Sequence, residues 1–106
     1  MCDQTAIMRE AHGERSSRRA NSIQQHKVAK RITALRQARG MTKAAFARSC
    51  GITPQEIGNY ETGGRLPSIP AAHKICLAHG VSLDYIYRGI LKDLPDDLRQ
   101  RIPALL

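Results

Sequence analysis

The sequence predicts an all-α fold: five helices and a short C-terminal helix, behind a flexible N-terminal arm. Three observations carry this. No segment sustains the apolar–polar alternation of a half-buried strand. Apolar residues recur three and four apart, the spacing of one helix face. The runs are also punctuated, by hydroxyl caps at Thr42, Thr53 and Ser82 and by glycine stops at Gly40, Gly51, Gly80 and Gly89.

The elements follow in order. Residues 1–22 are polar and mixed in charge, and read as a mobile arm. From residue 23, Val28, Ile32 and Leu35 mark the buried face of a first helix that Gly40 closes. Arg36 and Arg39 sit near its negative end, where cations are favoured. Thr42 caps a short second helix in which Phe46, Ala47 and Cys50 share a face and Gly51 ends the run. Thr53-Pro54-Gln55-Glu56 has the form of a capping box with proline at the first helical position. In that form the Thr53 hydroxyl accepts from the amide of residue 56, and the Glu56 carboxylate reaches back to the amide of residue 53. Ile57 and Tyr60 then face inward, and Gly63-Gly64 ends the third helix. Residues 65–69 are a connector, a fourth helix runs from Pro70 to His79, and Ser82 caps a fifth from Leu83 to Arg88. A last amphipathic piece, from Pro95 to Ile102, carries Leu94, Leu98 and Ile102 four apart. The expected organisation is an arm over 1–22, a folded domain over 23–89 and a C-terminal amphipathic segment over 90–106.

Composition narrows the function. A chain of 106 residues holds one modest core and no separate ligand domain. One Phe, three Tyr and no Trp disfavour an aromatic platform for single strands. No apolar run approaches the ~20 residues of a membrane span, and the N-terminus lacks the apolar stretch of a secretion signal. Cys2, Cys50 and Cys76 are odd in number and widely spaced, which fits a reduced, cytoplasmic chain better than a disulfide framework. His12, His26, His73 and His79 show no ligand spacing with them, so no metal or cofactor is expected and the histidines read as surface or half-buried residues. No nucleophile–base pair or phosphate-binding glycine loop appears, so an enzyme is not expected. The net charge is +8, and residues 28–66 hold seven basic against two acidic side chains. A basic excess concentrated in one segment suits a phosphate-binding surface, or simply a solvated face.

The segment from Thr42 to Gly63 sets two short helices around Gly51-Ile52-Thr53. Small Ala47 allows close approach, Gly51 allows a tight turn, and Ile52 and Ile57 fill the wedge. The second helix then stands out on the surface, as a helix entering a DNA major groove must. Ile32-x-x-Leu35-Arg36, Phe46-Ala47, Gly51-Ile52-Thr53, Ile57, Tyr60-Glu61-x-Gly63, Pro67 and Gly80-Val81-Ser82-Leu83-Asp84 follow one another at fixed spacing. Over residues 28–89 the chain thereby resembles the Cro/lambda-repressor-like (Xre-type) helix-turn-helix family.

The resemblance implies a sequence-specific, double-stranded-DNA-binding transcriptional regulator, a repressor acting as a homodimer on a pseudo-palindrome. It implies backbone contacts from Thr42 and Lys43, a reading face of Thr53, Pro54, Gln55, Gly58 and Asn59, and a phosphate contact from Arg65 in the following loop. It also implies a structural ion pair between Arg36 and Glu61. Lys43 stands where the family usually has Gln. Pro54 has no side-chain donor and Gly58 offers nothing to a base edge, so Gln55 and Asn59 are the best base readers, each worth ~1–3 kcal/mol of discrimination if bidentate to adenine. Part of the specificity would then rest on DNA shape. Glu56 replaces a small or hydroxylated residue and keeps two readings, the reciprocal cap or an acceptor for a cytosine N4 amine. Arg15, Arg18 and Arg19 of the arm either follow the DNA or belong to a tail that touches nothing. Ile90, Leu91, Leu94, Leu98, Ile102 and Leu105 are either a dimer contact or part of the core. The alternative function, also implied by the resemblance, is an antitoxin that binds a partner toxin and represses its own operon. Its mark would be a C-terminal segment that orders only on the partner.

Overall fold

The computed structural model describes residues 23–106. The expected arm over 1–22, with Cys2, Arg15, Arg18 and Arg19, lies outside the described residues. Those described form helices and no strands: α1 through 23–38, α2 Lys43–Cys50, α3 Pro54–Glu61, α4 Ile69–His79, α5 Leu83–Arg88 and α6 Asp96–Leu105. The fold class is all-α, as expected.

Each start has a chemical cause. Thr42, Thr53, Ser68 and Ser82 take extended backbone angles, and their hydroxyls accept from the amides of Ala45, Glu56, Ala71 and Tyr85. Each bond satisfies one of the orphan donors of a first helical turn. Ser68 is the cap that the expected connector concealed. It starts α4 one residue earlier than Pro70, and Pro70 fits inside the first turn because no N–H is needed there. The capping box at α3 is only half made: Thr53 Oγ1 accepts from the Glu56 amide at 3.2 Å, and no hydrogen bond joins the Glu56 carboxylate to the Thr53 amide. At the other end of the chain, α6 continues past the expected Ile102 to Leu105 with Pro103 inside it. Pro103 gives up one helical hydrogen bond, but fully buried Leu98 and Ile102 hold the helix against the core.

One core unites the helices. Val28, Ile32 and Leu35 of α1 meet Phe46 and Ala47 of α2, Ile57 of α3, Ile75 of α4, Tyr85 and Ile86 of α5, and Leu98 and Ile102 of α6, all but solvent-free. Each large apolar side chain so buried contributes about 1.5–3 kcal/mol. Leu94, Leu98 and Ile102, the apolar face of the C-terminal segment, therefore serve this core, while Leu105 and Leu106 stay exposed.

Polar ties then fix α1 to its neighbours. The Tyr85 hydroxyl donates to the Arg31 carbonyl at 2.5 Å, and Arg31 Nη1 donates to the Ile86 carbonyl at 3.1 Å. Burial, the larger effect, pushes the Tyr85 hydroxyl far above the usual phenol range, against the pull of the Arg31 charge. Arg101 of α6 donates to the Ala38 carbonyl at 3.2 Å, closing the C-terminal end of α1.

Candidate nucleic-acid interface

The turn between α2 and α3 is built from four residues. Gly51 adopts φ 72°, a left-handed conformation that a side chain would strain. Its N–H and that of Ile52 return to the carbonyls of Arg48 and Ala47 at 3.2 and 3.0 Å. Ala47 is wholly buried, and Ile52 and Ile57 are buried in the same core. Ile57 and Tyr60 thus become the inward side of α3. Pro54, Gln55 and Asn59 are left exposed and Gly58 half-buried, and Thr53 is exposed at the cap. Positions 54, 55, 58 and 59 are spaced as one helix face. A Cβ built on Gly58 would meet nothing within 4 Å, so packing does not ask for glycine there.

Thr42 and Lys43 stand exposed at the start of α2. Thr42 Oγ1 engages the Ala45 amide, and the Lys43 and Ala44 amides have no acceptor inside the helix. Free amides, a helix N-terminus and a lysine together suit an anionic oxygen. Beyond α3, the Asn59 carbonyl collects three donors: Thr62 Oγ1 at 3.2 Å, the Gly64 amide at 3.1 Å and the Arg65 amide at 3.2 Å. The loop is therefore folded back on the helix end, with Arg65 exposed at its rim. Glu56, Tyr60, Arg65, Leu66 and Ser68 line one groove beside it. Burial raises the Tyr60 hydroxyl above its ordinary range; the adjacent Glu56 charge adds to this and Arg65 opposes it.

An ion pair ties the end of α3 to α1. Arg36 Nε donates to Glu61 Oε2 at 2.8 Å and Nη2 to Oε1 at 3.1 Å, a two-pronged geometry, while Nη1 donates to the Met41 carbonyl at 3.0 Å. The Glu61 side chain is 4% exposed and that of Arg36 15%. The pair links α1, the α1–α2 loop and the C-terminal end of α3 in one bracket.

Sequence reasoning missed His79. It is buried, where a surface or half-buried histidine was expected: its ring stacks on Phe46 at 4.7 Å between centroids and 13° between planes, and its Nε2 lies 2.9 Å from Ser49 Oγ. The Ser49 hydroxyl also donates to the Phe46 carbonyl at 2.7 Å, so one polar chain joins the ring to the α2 backbone. Burial, and secondly the Arg39 charge, lower the His79 pKa. The signal was present: His79 stands four and three residues after Ile75 and Cys76, on the buried face of α4. Cys50 and Cys76 are buried free thiols, and burial raises both. Among the described residues, no group of His, Cys, Asp and Glu is arranged to hold a metal ion. None of the described helices is long and apolar enough to cross a membrane.

A family model described as helix-turn-helix matches residues 32–86, more than half of the chain. No curated protein and no solved structure matches it. The matched span runs from the buried face of α1 into α5 and so includes α2, the Gly51 turn and α3. With the all-helical fold, that match places the chain in the Cro/C1-type, Xre-like helix-turn-helix family: it is a DNA-binding transcriptional regulator.

Proposed function

We propose that the protein is a cytoplasmic repressor that binds double-stranded operator DNA as a homodimer on a pseudo-palindromic site. The observation that carries this reading is the exposed face of α3. Gln55 and Asn59 project from a helix whose other side is locked by Ile57, Tyr60 and the Arg36–Glu61 pair. In this reading α3 enters the major groove, and Gln55 and Asn59 read base edges. Thr53 and Pro54 border the bases, Gly58 lets the backbone approach, and Thr42, Lys43 and Arg65 hold phosphates. One such module reads too few base pairs to find one site in a genome, which is the reason for a dimer. We assign the dimer contact to exposed Leu105 and Leu106, beside Ala29, Thr33 and Gln37 of α1. Promoter occlusion then follows from occupancy.

The antitoxin reading has less support. Its mark is a C-terminal segment awaiting a partner, whereas Leu94, Leu98 and Ile102 are already buried in the chain's own core.

Fluorescence anisotropy with duplex DNA from upstream of the protein's own gene tests the proposal, beside a scrambled duplex and at several salt concentrations. The expected result is binding at least ~10³-fold tighter to the upstream duplex, lost in the Gln55→Ala/Asn59→Ala variant. Equal, steeply salt-dependent binding to both duplexes would reduce the surface to a non-specific basic patch and overturn the reading.

A further inference from the structure

The carboxylate of Glu56 has no structural employment that accounts for it. It stands on the first turn of α3, half-buried, and does not close the capping box: the Thr53 amide receives no bond from it. No cation among the described residues lies within ion-pair distance of it; Arg36 is taken by Glu61 and Arg39 by Asp97. Tyr60, one turn along α3, shares with it the groove that Arg65 and Ser68 also line. An unpaired acid one residue from Gln55, on the helix proposed to face DNA, is an expensive choice for a chain of net charge +8. Phosphates repel it, and it accepts hydrogen bonds without donating any.

The major groove offers such a group few partners. Guanine presents two acceptors at N7 and O6, and thymine an acceptor and a methyl. Adenine presents its N6 donor beside the N7 acceptor, which repels a carboxylate. Cytosine presents the N4 donor alone. We infer that Glu56 is a specificity residue that selects cytosine at one position of each half-site, from the rim of the groove that Tyr60, Arg65 and Ser68 also line. The inference rests on the DNA-binding reading above and deepens it. The repulsion is part of the device: guanine and thymine leave the carboxylate without a donor, adenine sets its N7 acceptor against it, and binding weakens.

The test is site selection from random duplexes by the full chain as wild type, Glu56→Gln and Glu56→Ala, followed by anisotropy on the selected wild-type site with its cytosine pair replaced by a T·A pair. The wild type should select a cytosine at one position per half-site and lose roughly tenfold or more on the replacement. Glu56→Gln, which keeps the length of the side chain and can pair both edges of adenine, should move that position to adenine and leave the others alone. Glu56→Ala should lose preference there and bind both duplexes within about twofold, as expected of a removed base contact. An unchanged consensus in both variants would show that the carboxylate merely braces Tyr60 and Arg65, and would overturn the inference while leaving DNA recognition intact. A wild type that selects no consensus would overturn both. Thermal melting of each variant separates these outcomes from misfolding, and the wild-type base replacement alone decides the matter if a variant does not fold.

Discussion

Gly58 separates what the fold needs from what the proposed interface needs. It lies inside α3, its φ is not positive, and a Cβ there would meet no heavy atom within 4 Å. Replacing it with alanine therefore adds a methyl to open space and removes the conformational freedom that glycine gives the unfolded chain. The gain expected from helix propensity is about 0.8–1 kcal/mol. For a domain of 60–100 residues that amounts to a rise in melting temperature of roughly 4–8 °C. A glycine that lowers stability without easing any contact points to a demand from outside the chain, and close approach of a DNA backbone or base edge is such a demand. Gly58→Ala should therefore melt higher and bind its operator more weakly, by an amount set by the displaced contact. Scanning fluorimetry and anisotropy on one preparation measure both. A lower melting temperature would refute the packing argument. A higher one with unchanged operator affinity would remove Gly58 from the interface.

The remaining predictions concern the support behind that face. Glu61→Gln leaves the mostly buried Arg36 charge unpaired and should cost about 3 kcal/mol by urea unfolding; the double variant Arg36→Met/Glu61→Leu should recover most of this, since an apolar pair carries no desolvation cost. Tyr85→Phe removes the hydroxyl that ties α5 to the Arg31 carbonyl and should cost about 1 kcal/mol, with no change in the helix content seen by circular dichroism. His79 has a folded pKa below its unfolded value of about 6.5, so between the two the unfolded chain binds more protons. Stability should be flat above pH 7 and fall as pH drops through 6.5. Urea midpoints across pH 5–8 check this, and His79→Gln should flatten part of the slope. Persistence of the full slope in that variant would assign it to other groups.

What could be read in advance divides by the range of the interaction. Thr53-Pro54 and Gly51 act within four residues, and their cap and turn stand where the local pattern puts them. The exposed side of α3 was legible for a related reason: once Ile57 and Tyr60 point inward, the helical period turns 54, 55, 58 and 59 outward. Ser68 was hidden because Pro67 and Pro70 make the stretch look like a connector, although a serine two residues before a proline is also a helix start. The tertiary bonds of Arg31, Arg101 and His79 were not legible, although the spacing of His79 already put it on the buried face of α4. Periodicity tells which face of its own helix a residue occupies, but not which carbonyl or hydroxyl of another helix lies within reach. Glu56 failed for a different reason. A first-turn glutamate can close the cap or turn toward a neighbouring groove, and the local pattern cannot rank the backbone amide against the groove that Tyr60 and Arg65 line.

The eight residues of α3 have little helical stability of their own. A helix that short is marginal in water, and Gly58 lowers its propensity further. Its direction is therefore a property of the three anchors around it: the Ile57–Tyr60 face, the Arg36–Glu61 bracket, and the Asn59 carbonyl that gathers the following loop. All three lie on the side away from Gln55 and Asn59 or at the far end of the helix. Rigidity in such a reading helix lowers the ordering cost of binding, which otherwise subtracts from affinity. On the proposed DNA-binding reading, Arg36, on another helix, should act on DNA affinity through preorganisation. Substitutions there should weaken binding to every duplex by a similar factor and leave the preferred sequence unchanged, whereas Gln55 and Glu56 variants should change the sequence preferred.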